Sequence, residues 1–208
     1  MNRRPLAAAI ASAARAICGA QVIWRAGFPE NRQTVFFANH TSHLDFAVLW
    51  GSLPRAFREW TRPVAAEDYW RKGVRRTLAV GVFNALLIPR ERGEGGRVNA
   101  ARATVDRIAA EMGDRYSLII FPEGSRGDGE TVRPFKSGLY YLCLQKPQLQ
   151  LVPAYLENLN RILPKGEFLP VPVISRVTFG APTFFDPAES KASFVERMGN
   201  AVCELRSR

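Results

Sequence analysis

Both histidines of the chain, His40 and His43, fall in one stretch, Asn39-His40-Thr41-Ser42-His43-Leu44-Asp45. An imidazole beside a carboxylate suits proton transfer: the carboxylate accepts a hydrogen bond from one ring nitrogen, fixes the tautomer and leaves the other nitrogen free to take a proton. Asp45 stands five positions after His40, a spacing that on a regular helix turns two side chains about 140° apart. A turn has to bring them together. With a helix beginning near Ser42, Asp45 lies in its first turn and His40 in the loop folding back over it. Ser42-x-x-Asp45 also reads as a helix-capping pair with His40 as a polar loop residue, and this stretch alone leaves the two readings even.

A second cluster, Phe121-Pro122-Glu123-Gly124-Ser125-Arg126-Gly127, follows the apolar run Tyr116 to Phe121. Arg126 can grip a phosphate with two parallel hydrogen bonds, while Gly124 and Gly127 let backbone amides approach an anion closely. Without a ligand the same residues read as a tight surface turn, Glu123 and Arg126 being a solvated pair. Lys136 follows ten residues after Arg126, and Arg90 ends another apolar run, Leu86 to Pro89. A metal site of His40, His43, Asp45 and Glu123 would use the same side chains, but their spacing matches no zinc signature such as His-Glu-x-x-His, so no metal is expected. Cys18, Cys143 and Cys203 are isolated and odd in number, which argues against a disulfide framework and fits a reducing compartment.

The His40 block sits between an apolar strand and an apolar helix, the kind of strand-to-helix turn where side chains of an open sheet converge on ligands. From Thr34 onward short β-branched and aromatic runs alternate with helix-length amphipathic ones, the pattern of an α/β domain. Strands are predicted at Val35–Ala38, Val64–Ala66, Leu86–Ile88, Ser117–Phe121, Leu151–Leu156 and Val173–Phe179. Helices are predicted at Leu44–Ser52, Tyr69–Val80, Arg97–Met112, Ser137–Gln145 and Lys191–Leu205. Gly93 to Gly96 and Leu163 to Pro172 read as loops, neither long nor biased enough to be an interdomain linker. A chain of 208 residues, 47% hydrophobic and 23% charged, supports one substantial core. The expected fold is a single α/β domain with a mixed, mostly parallel sheet flanked by helices, preceded by an amphipathic N-terminal helix.

That leading segment is assigned to residues 1–30, and the α/β domain to residues 31–208. Alanine-rich Pro5 to Trp24 follows Arg3 and Arg4, with Leu6, Ile10, Ala13, Ile17 and Gln21 at helical steps. Such a stripe either packs on its own domain or lies in a membrane interface, where basic residues flank an apolar face. A signal peptide fits less well, because no clear cleavage site is followed by secreted-protein chemistry. Arg15 interrupts the run, and the uncharged run Thr77 to Pro89 has 13 residues, so neither reaches the roughly 20 strongly apolar residues of a span. Lys and Arg outnumber Asp and Glu by 29 to 19, a net charge of +10, which favours an anionic lipid surface, an acidic carrier protein, a phosphorylated substrate or nucleic acid. The basic residues are scattered, and no zinc-finger or RNP-type motif is present, so nucleic acid is not the expected partner. A non-catalytic basic module binding membrane or nucleic acid is the alternative of another class.

Together these features resemble the glycerolipid acyltransferase family, whose type member is bacterial lysophosphatidate (1-acylglycerol-3-phosphate) acyltransferase. His40 and Asp45, with Asn39 before them, match its His-x-x-x-x-Asp block, and Phe121 to Arg126 match Phe-Pro-Glu-Gly-Ser-Arg without a change. Phe135-Lys136-Ser137-Gly138 and Leu151-Val152-Pro153-Ala154 resemble the stretches that follow. In Asn84-Ala85-Leu86-Leu87-Ile88-Pro89-Arg90 the family's glycine and aromatic residue give way to Asn84 and Leu87, while Arg90 is kept. The resemblance implies an O-acyltransferase of phospholipid biosynthesis that moves a fatty acyl group from a thioester to the free hydroxyl of a lysophospholipid, foremost lysophosphatidate. His40 would be the general base and Asp45 its orienting partner; Arg90, Glu123, Gly124, Ser125 and Arg126 would bind the acceptor's polar head. No cofactor is implied, acyl-CoA or acyl carrier protein serving as co-substrate. With the N-terminal stripe and the basic charge, a lipid acceptor implies a peripheral protein on an anionic membrane surface, the cytoplasmic face of the cell membrane. O-acylation of a lyso-ornithine or other non-phosphatidate lyso-lipid is the alternative within the same chemistry.

Overall fold

The computed structural model of the chain describes residues 4–70, 73–89, 97–162 and 174–206. Along the chain come α1 (Arg4–Ile17), β1 (Gln21–Trp24), β2 (Thr34–Ala38), α2 (Asp45–Ser52), α3 (Arg55–Arg58), β3 (Thr61–Ala66), α4 (Glu67–Trp70) and α5 (Gly73–Arg76). A π-helical turn (Thr77–Val82) leads to β4 (Leu86–Ile88), α6 (Arg97–Met112), β5 (Ser117–Ile120), α7 (Gly138–Gln145), β6 (Gln150–Glu157), α8 (Leu159–Ile162), β7 (Arg176–Phe179) and α9 (Lys191–Cys203). The strands of the described residues form one sheet in the order β1-β7-β6-β2-β5-β3-β4. Neighbours are parallel except β6 and β7. This is the mixed, mostly parallel sheet that the alternation of short apolar runs and amphipathic helices implies.

β2 is buried at every position because helices cover both faces of the sheet, and the period of two along a strand sends successive side chains to opposite sides. Val35 and Phe37 pack with Met112 of α6, Leu142 of α7 and Phe194 of α9. Phe36 and Ala38 pack with Ala11 of α1, Leu49 of α2 and Phe83. Fully burying each of the two phenylalanines contributes about 1.5–3 kcal/mol.

The leading segment departs in detail from the sequence reading. Gly19, at φ 51°, stops α1: the N–H of Gly19 bonds Ala16 O and that of Ala20 bonds Arg15 O, the paired bonds of a Schellman motif. The chain then turns into β1, an edge strand that the helical spacing through Gln21 concealed. Trp24 of β1 stacks on Phe179 with centroids 3.8 Å apart, and Arg25 donates to the carbonyls of Glu204 and Leu205. The stripe on α1 is divided between the two readings left open for it: Ile10 packs against the core, while Leu6, Ala13 and Ile17 are exposed. Ala7 and Ala11 are buried, whereas Leu6 and Ile17 are 52% and 53% exposed. Small methyl groups let α1 approach α2 closely, at Gly51, whose carbonyl also accepts Arg15 Nη1.

Other differences are local. The helix expected over Tyr69–Val80 is divided into α4 and α5, with residues 71–72 outside the described part; Gly73 has φ 65°, which a continuous helix does not accommodate. Asn84, in the position where the resemblance calls for glycine, has φ 53°, a left-handed conformation that asparagine tolerates better than other side chains. Arg90, Gly93 to Gly96, Leu163 to Pro172 and Val173 lie outside the described residues.

The α1–α2 contact predicts a packing-limited substitution. A Cβ on Gly51 would stand 2.9 Å from Ala11 Cβ and 3.2 Å from Ala11 O, so Gly51→Leu must push α1 aside. Overpacking of this kind costs about 1–3 kcal/mol, expected as a Tm lowered by roughly 2–12 °C in thermal unfolding. An unchanged Tm would show that α1 does not pack there.

Candidate active site

β2 and β5 are parallel neighbours with Phe37 paired to Ile120. His40 and Glu123, each three residues further on, therefore leave the carboxyl edge of the sheet side by side, where ligands of open α/β sheets bind. A hydrogen bond closes the pair: the His40 backbone N–H donates to Glu123 Oε1 at 2.7 Å. On the other side of β2, the Asn39 amide donates to Leu156 O at 2.9 Å and accepts from Leu156 N–H at 2.7 Å, which extends the β2–β6 pairing past the last strand residue. The loop that starts at His40 is thus held from both neighbouring strands.

Within that loop Asp45, the first residue of α2, turns its carboxylate back over residues 40–42. Asp45 Oδ2 accepts from His40 Nδ1 at 2.8 Å, from Thr41 N–H at 2.6 Å and from Ser42 N–H at 2.9 Å. An ionised carboxylate only accepts, so Nδ1 carries the proton and the lone pair of the neutral ring is on Nε2. Asp45 is fully buried, and the His40 ring, 24% exposed, stacks on Phe121 with centroids 4.3 Å apart. Of the two readings of Ser42-x-x-Asp45, half of the capping box is formed, Asp45 Oδ2 accepting from Ser42 N–H, while the Ser42 hydroxyl accepts from Leu44 N–H, two residues on, and not from Asp45 N–H; the same carboxylate oxygen also holds the His40 ring. Burial and the Asp45 carboxylate push the Cys18 thiol up to about 11, and burial pushes Cys143 up to about 12. Both remain thiols at neutral pH.

Beyond β5 the chain makes a turn closed by Gly124 N–H to Phe121 O at 3.0 Å, with Gly124 at φ 69°. The loop then returns alongside: Gly127 N–H donates to His40 O at 2.7 Å and Lys136 N–H to Pro122 O at 2.9 Å. Glu123 lies between the two loops, buried, its Oε1 taken by His40 N–H and its Oε2 by Arg133 N–H at 3.3 Å. Burial raises the Glu123 pKa, and the His40 and Arg133 N–H groups partly oppose the rise. It is not the solvated partner of Arg126 that a surface turn implies. Arg126 is half-buried, while Gly124 and Ser125 are exposed.

His40, Asp45, Glu123, Gly124, Ser125 and Arg126 thus come together in two adjoining loops. Arg90, just past β4, lies outside the described residues. Among the described residues no group of three or more His, Cys, Asp and Glu is placed to hold a metal ion; Asp45 Oδ2 and both Glu123 oxygens already serve N–H donors. Sequence reasoning missed Arg133, whose Nη1 reaches Ser125 Oγ at 3.4 Å. No spacing announces it, because the loop's return places it there.

Comparison with known proteins is in keeping with this geometry. The sequence model of a family described as Acyltransferase matches residues 21–157. A 1-acyl-sn-glycerol-3-phosphate acyltransferase of Limnanthes alba is 28% identical over 169 residues, which is 76% of this chain and 56% of that protein. A taffazin of Dictyostelium discoideum is 28% identical over 152 residues, 68% of this chain and 50% of that protein. The chain spans about half the length of these curated relatives. The crystal structure of the 1-acyl-sn-glycerophosphate acyltransferase of Thermotoga maritima superposes with a TM-score of 0.70 at 20% identity, covering 98% of this chain and 80% of that one. At that identity the likeness shows the fold.

The Glu123 bridge predicts a pH signature. A carboxyl whose folded pKa is raised contributes stability that is full below its unfolded value, about 4.3, and is lost as pH rises through the folded value. Glutamine has no such titration. The stability gap between wild type and Glu123→Gln, read by urea unfolding, is therefore expected to be larger at about pH 4 than at pH 7. A gap that widens toward pH 7 would mean that the carboxylate is stabilised where it lies.

Proposed function

Given that the chain belongs to the acyltransferase family, whose sequence model spans residues 21–157, we propose that it transfers a fatty acyl group from an acyl thioester to the free hydroxyl of lysophosphatidate. The observation that carries this reading is the 2.8 Å contact of His40 Nδ1 with buried Asp45 Oδ2, beside the Arg126 turn at the sheet's carboxyl edge. His40 Nε2 takes the hydroxyl proton as the oxygen attacks the thioester carbonyl, and the C–O bond forms. The tetrahedral oxyanion then collapses with cleavage of the C–S bond, and the imidazolium returns the proton to the leaving thiolate. Asp45 holds the tautomer and stabilises the imidazolium. A thioester is already activated and needs no enzyme nucleophile, in keeping with Cys18 and Cys143 held as thiols. Acyl-CoA or acyl carrier protein would supply the acyl group, with no other cofactor. Arg126 would pair with the acceptor's phosphate, and Glu123 would act on the site by holding the His40 and Arg133 backbone.

The second part of the proposal is peripheral attachment to the cytoplasmic face of the membrane. Among the described residues no helix is long and apolar enough to cross a bilayer. Leu6 and Ile17 of α1 are exposed, eleven positions apart and so only about 20° apart around the helix. Ile174, also exposed, has its Cα 3.7 Å from where a Cβ on Gly19 would stand, just past α1. An apolar stripe of this kind on a chain of net charge +10 suits the headgroup boundary of an anionic bilayer.

Two sets of variants test these readings. In a thioester-to-lysophosphatidate assay, His40→Ala is expected to lose about 100-fold or more in turnover and Asp45→Asn to be severely impaired, with His43→Ala keeping substantial activity; near-native turnover of folded His40→Ala defeats the assignment and favours a non-catalytic module. Arg126→Ala is expected to lower acceptor efficiency by roughly 10- to 150-fold for lysophosphatidate, with little effect on monoacylglycerol. Equal losses on both would give the turn a structural or oxyanion role. For attachment, the Leu6→Glu, Ile17→Glu double variant should sediment less with anionic vesicles while Tm stays within a few degrees, since both side chains lie outside the buried core. Undiminished sedimentation would move the contact elsewhere.

A further inference from the structure

The turn after β5 is lined by more cations than the phosphate contact of Arg126 requires. Arg133 and Lys136 come from the returning loop, and both are exposed. The Lys136 chain lies across the bare face of Gly124, where a Cβ would stand 2.6 Å from Nζ. The Arg133 guanidinium runs along the turn, with Nη1 3.4 Å from Ser125 Oγ and Nε 3.7 Å from where a Cβ on Gly127 would stand. Gly127 in turn is bonded to His40 O, so Arg133 stands beside the His40 loop. Among the described residues no carboxylate forms an ion pair with Arg126, Arg133 or Lys136. The nearest acids are occupied: Glu123 by two backbone N–H groups and Asp128 by those of Glu130 and Thr131. Arg133 feels the Glu123 and Asp128 carboxylates only through space, so three cations with no carboxylate in ion-pair contact are gathered on one turn and its returning loop, an anion site in the making.

We propose that Arg133, with Lys136 supporting it, makes this turn selective for a phosphomonoester dianion over a phosphodiester. The inference rests on the acyl-transfer reading of the same site and adds the acceptor class. A phosphomonoester carries about −1.5 to −2 charges near pH 7 and three terminal oxygens, enough to engage two guanidinium groups and an ammonium at once. A phosphodiester has a single charge and two free oxygens, and its second ester group occupies the side that Arg133 takes. Arg126 serves both; Arg133 distinguishes them. In lysophosphatidate the free hydroxyl and the phosphate are on adjacent carbons, and the loop that carries Arg133 is tied to the His40 loop through Gly127 N–H and the Glu123 carboxyl.

The test compares lysophosphatidate with lysophosphatidylglycerol in the full chain, donor held constant. Arg133→Ala is expected to lower kcat/KM for lysophosphatidate about 10- to 100-fold, mainly through KM, and to change lysophosphatidylglycerol less than about 3-fold. Arg133→Lys should fall between, since it keeps the charge without the planar fork. The variant keeps the Arg133 backbone bond to Glu123, and retained turnover of the diester reports an intact fold. Equal losses on both acceptors, or a raised KM for the donor instead, overturn the proposal; the latter outcome assigns the cations to a donor phosphate. Titration of glycerol 3-phosphate without donor reads the cradle independently of turnover: a Kd about tenfold weaker in Arg133→Ala supports it, and an unchanged Kd refutes it. If wild type binds glycerol 3-phosphate in this Arg133-dependent way yet acylates neither acceptor, the cradle stands and the acyl-transfer reading fails.

Discussion

A single oxygen atom, Asp45 Oδ2, fixes the geometry at the carboxyl edge of the sheet. It is fully buried and collects three N–H donors from residues 40–42. Taking a carboxylate out of water is tolerated only with such partners, so the loop has one arrangement available to it. α2 gives the carboxylate its place: Ala47, Val48, Leu49 and Trp50 are buried, which holds the helix on the sheet and fixes where its first residue points. The His40 ring then has little freedom left, with one nitrogen on Asp45 and one face on Phe121. Losing one hydrogen bond to such a charged group costs about 1.5–3 kcal/mol, which makes the loop stiff as well as specific.

Glu123 performs a related task for the neighbouring loop, with a different balance. Its two oxygens bridge the His40 and Arg133 backbones, yet burial outweighs those bonds and raises its pKa. The parallel register of β2 with β5 makes the bridge possible, because residues the same distance past a pair emerge together. The loop that carries Arg126, Arg133 and Lys136 is consequently held against the His40 loop. In the proposed reaction this gives the acceptor two fixed points, a base for its hydroxyl and a cradle for its phosphate.

Much of this was legible in the residues. The run Val35 to Ala38 followed by His40 and Asp45 indicated a strand, a turn and a helix, and the structure has Thr34–Ala38 and Asp45–Ser52. The pairing of the His40 and Glu123 loops was not legible, since strand order is set by long-range packing that no local period encodes. Nor was the orientation of α1: helical spacing groups Leu6 with Ile17, and the burial of Ala7 with the close approach of Ala11 to Gly51 of α2 decides that these two side chains face outward. β1 was hidden because Gln21 continued the helical spacing across the turn at Gly19. Arg133 follows no motif, and its position against Ser125 exists only once the loop has folded back.

The most direct measurement is the tautomer of His40, read by nitrogen-15 NMR of histidine-labelled protein with His43→Gln to assign the two rings. At a pH where the imidazole is neutral, the bond to Asp45 Oδ2 requires the proton on Nδ1 and a lone pair on Nε2, with one set of ring shifts and no averaging. In Asp45→Asn the same ring is expected to shift toward a mixture of the two tautomers. A wild-type ring with its proton on Nε2, or one that averages both forms as a free imidazole does, would contradict a base poised by Asp45.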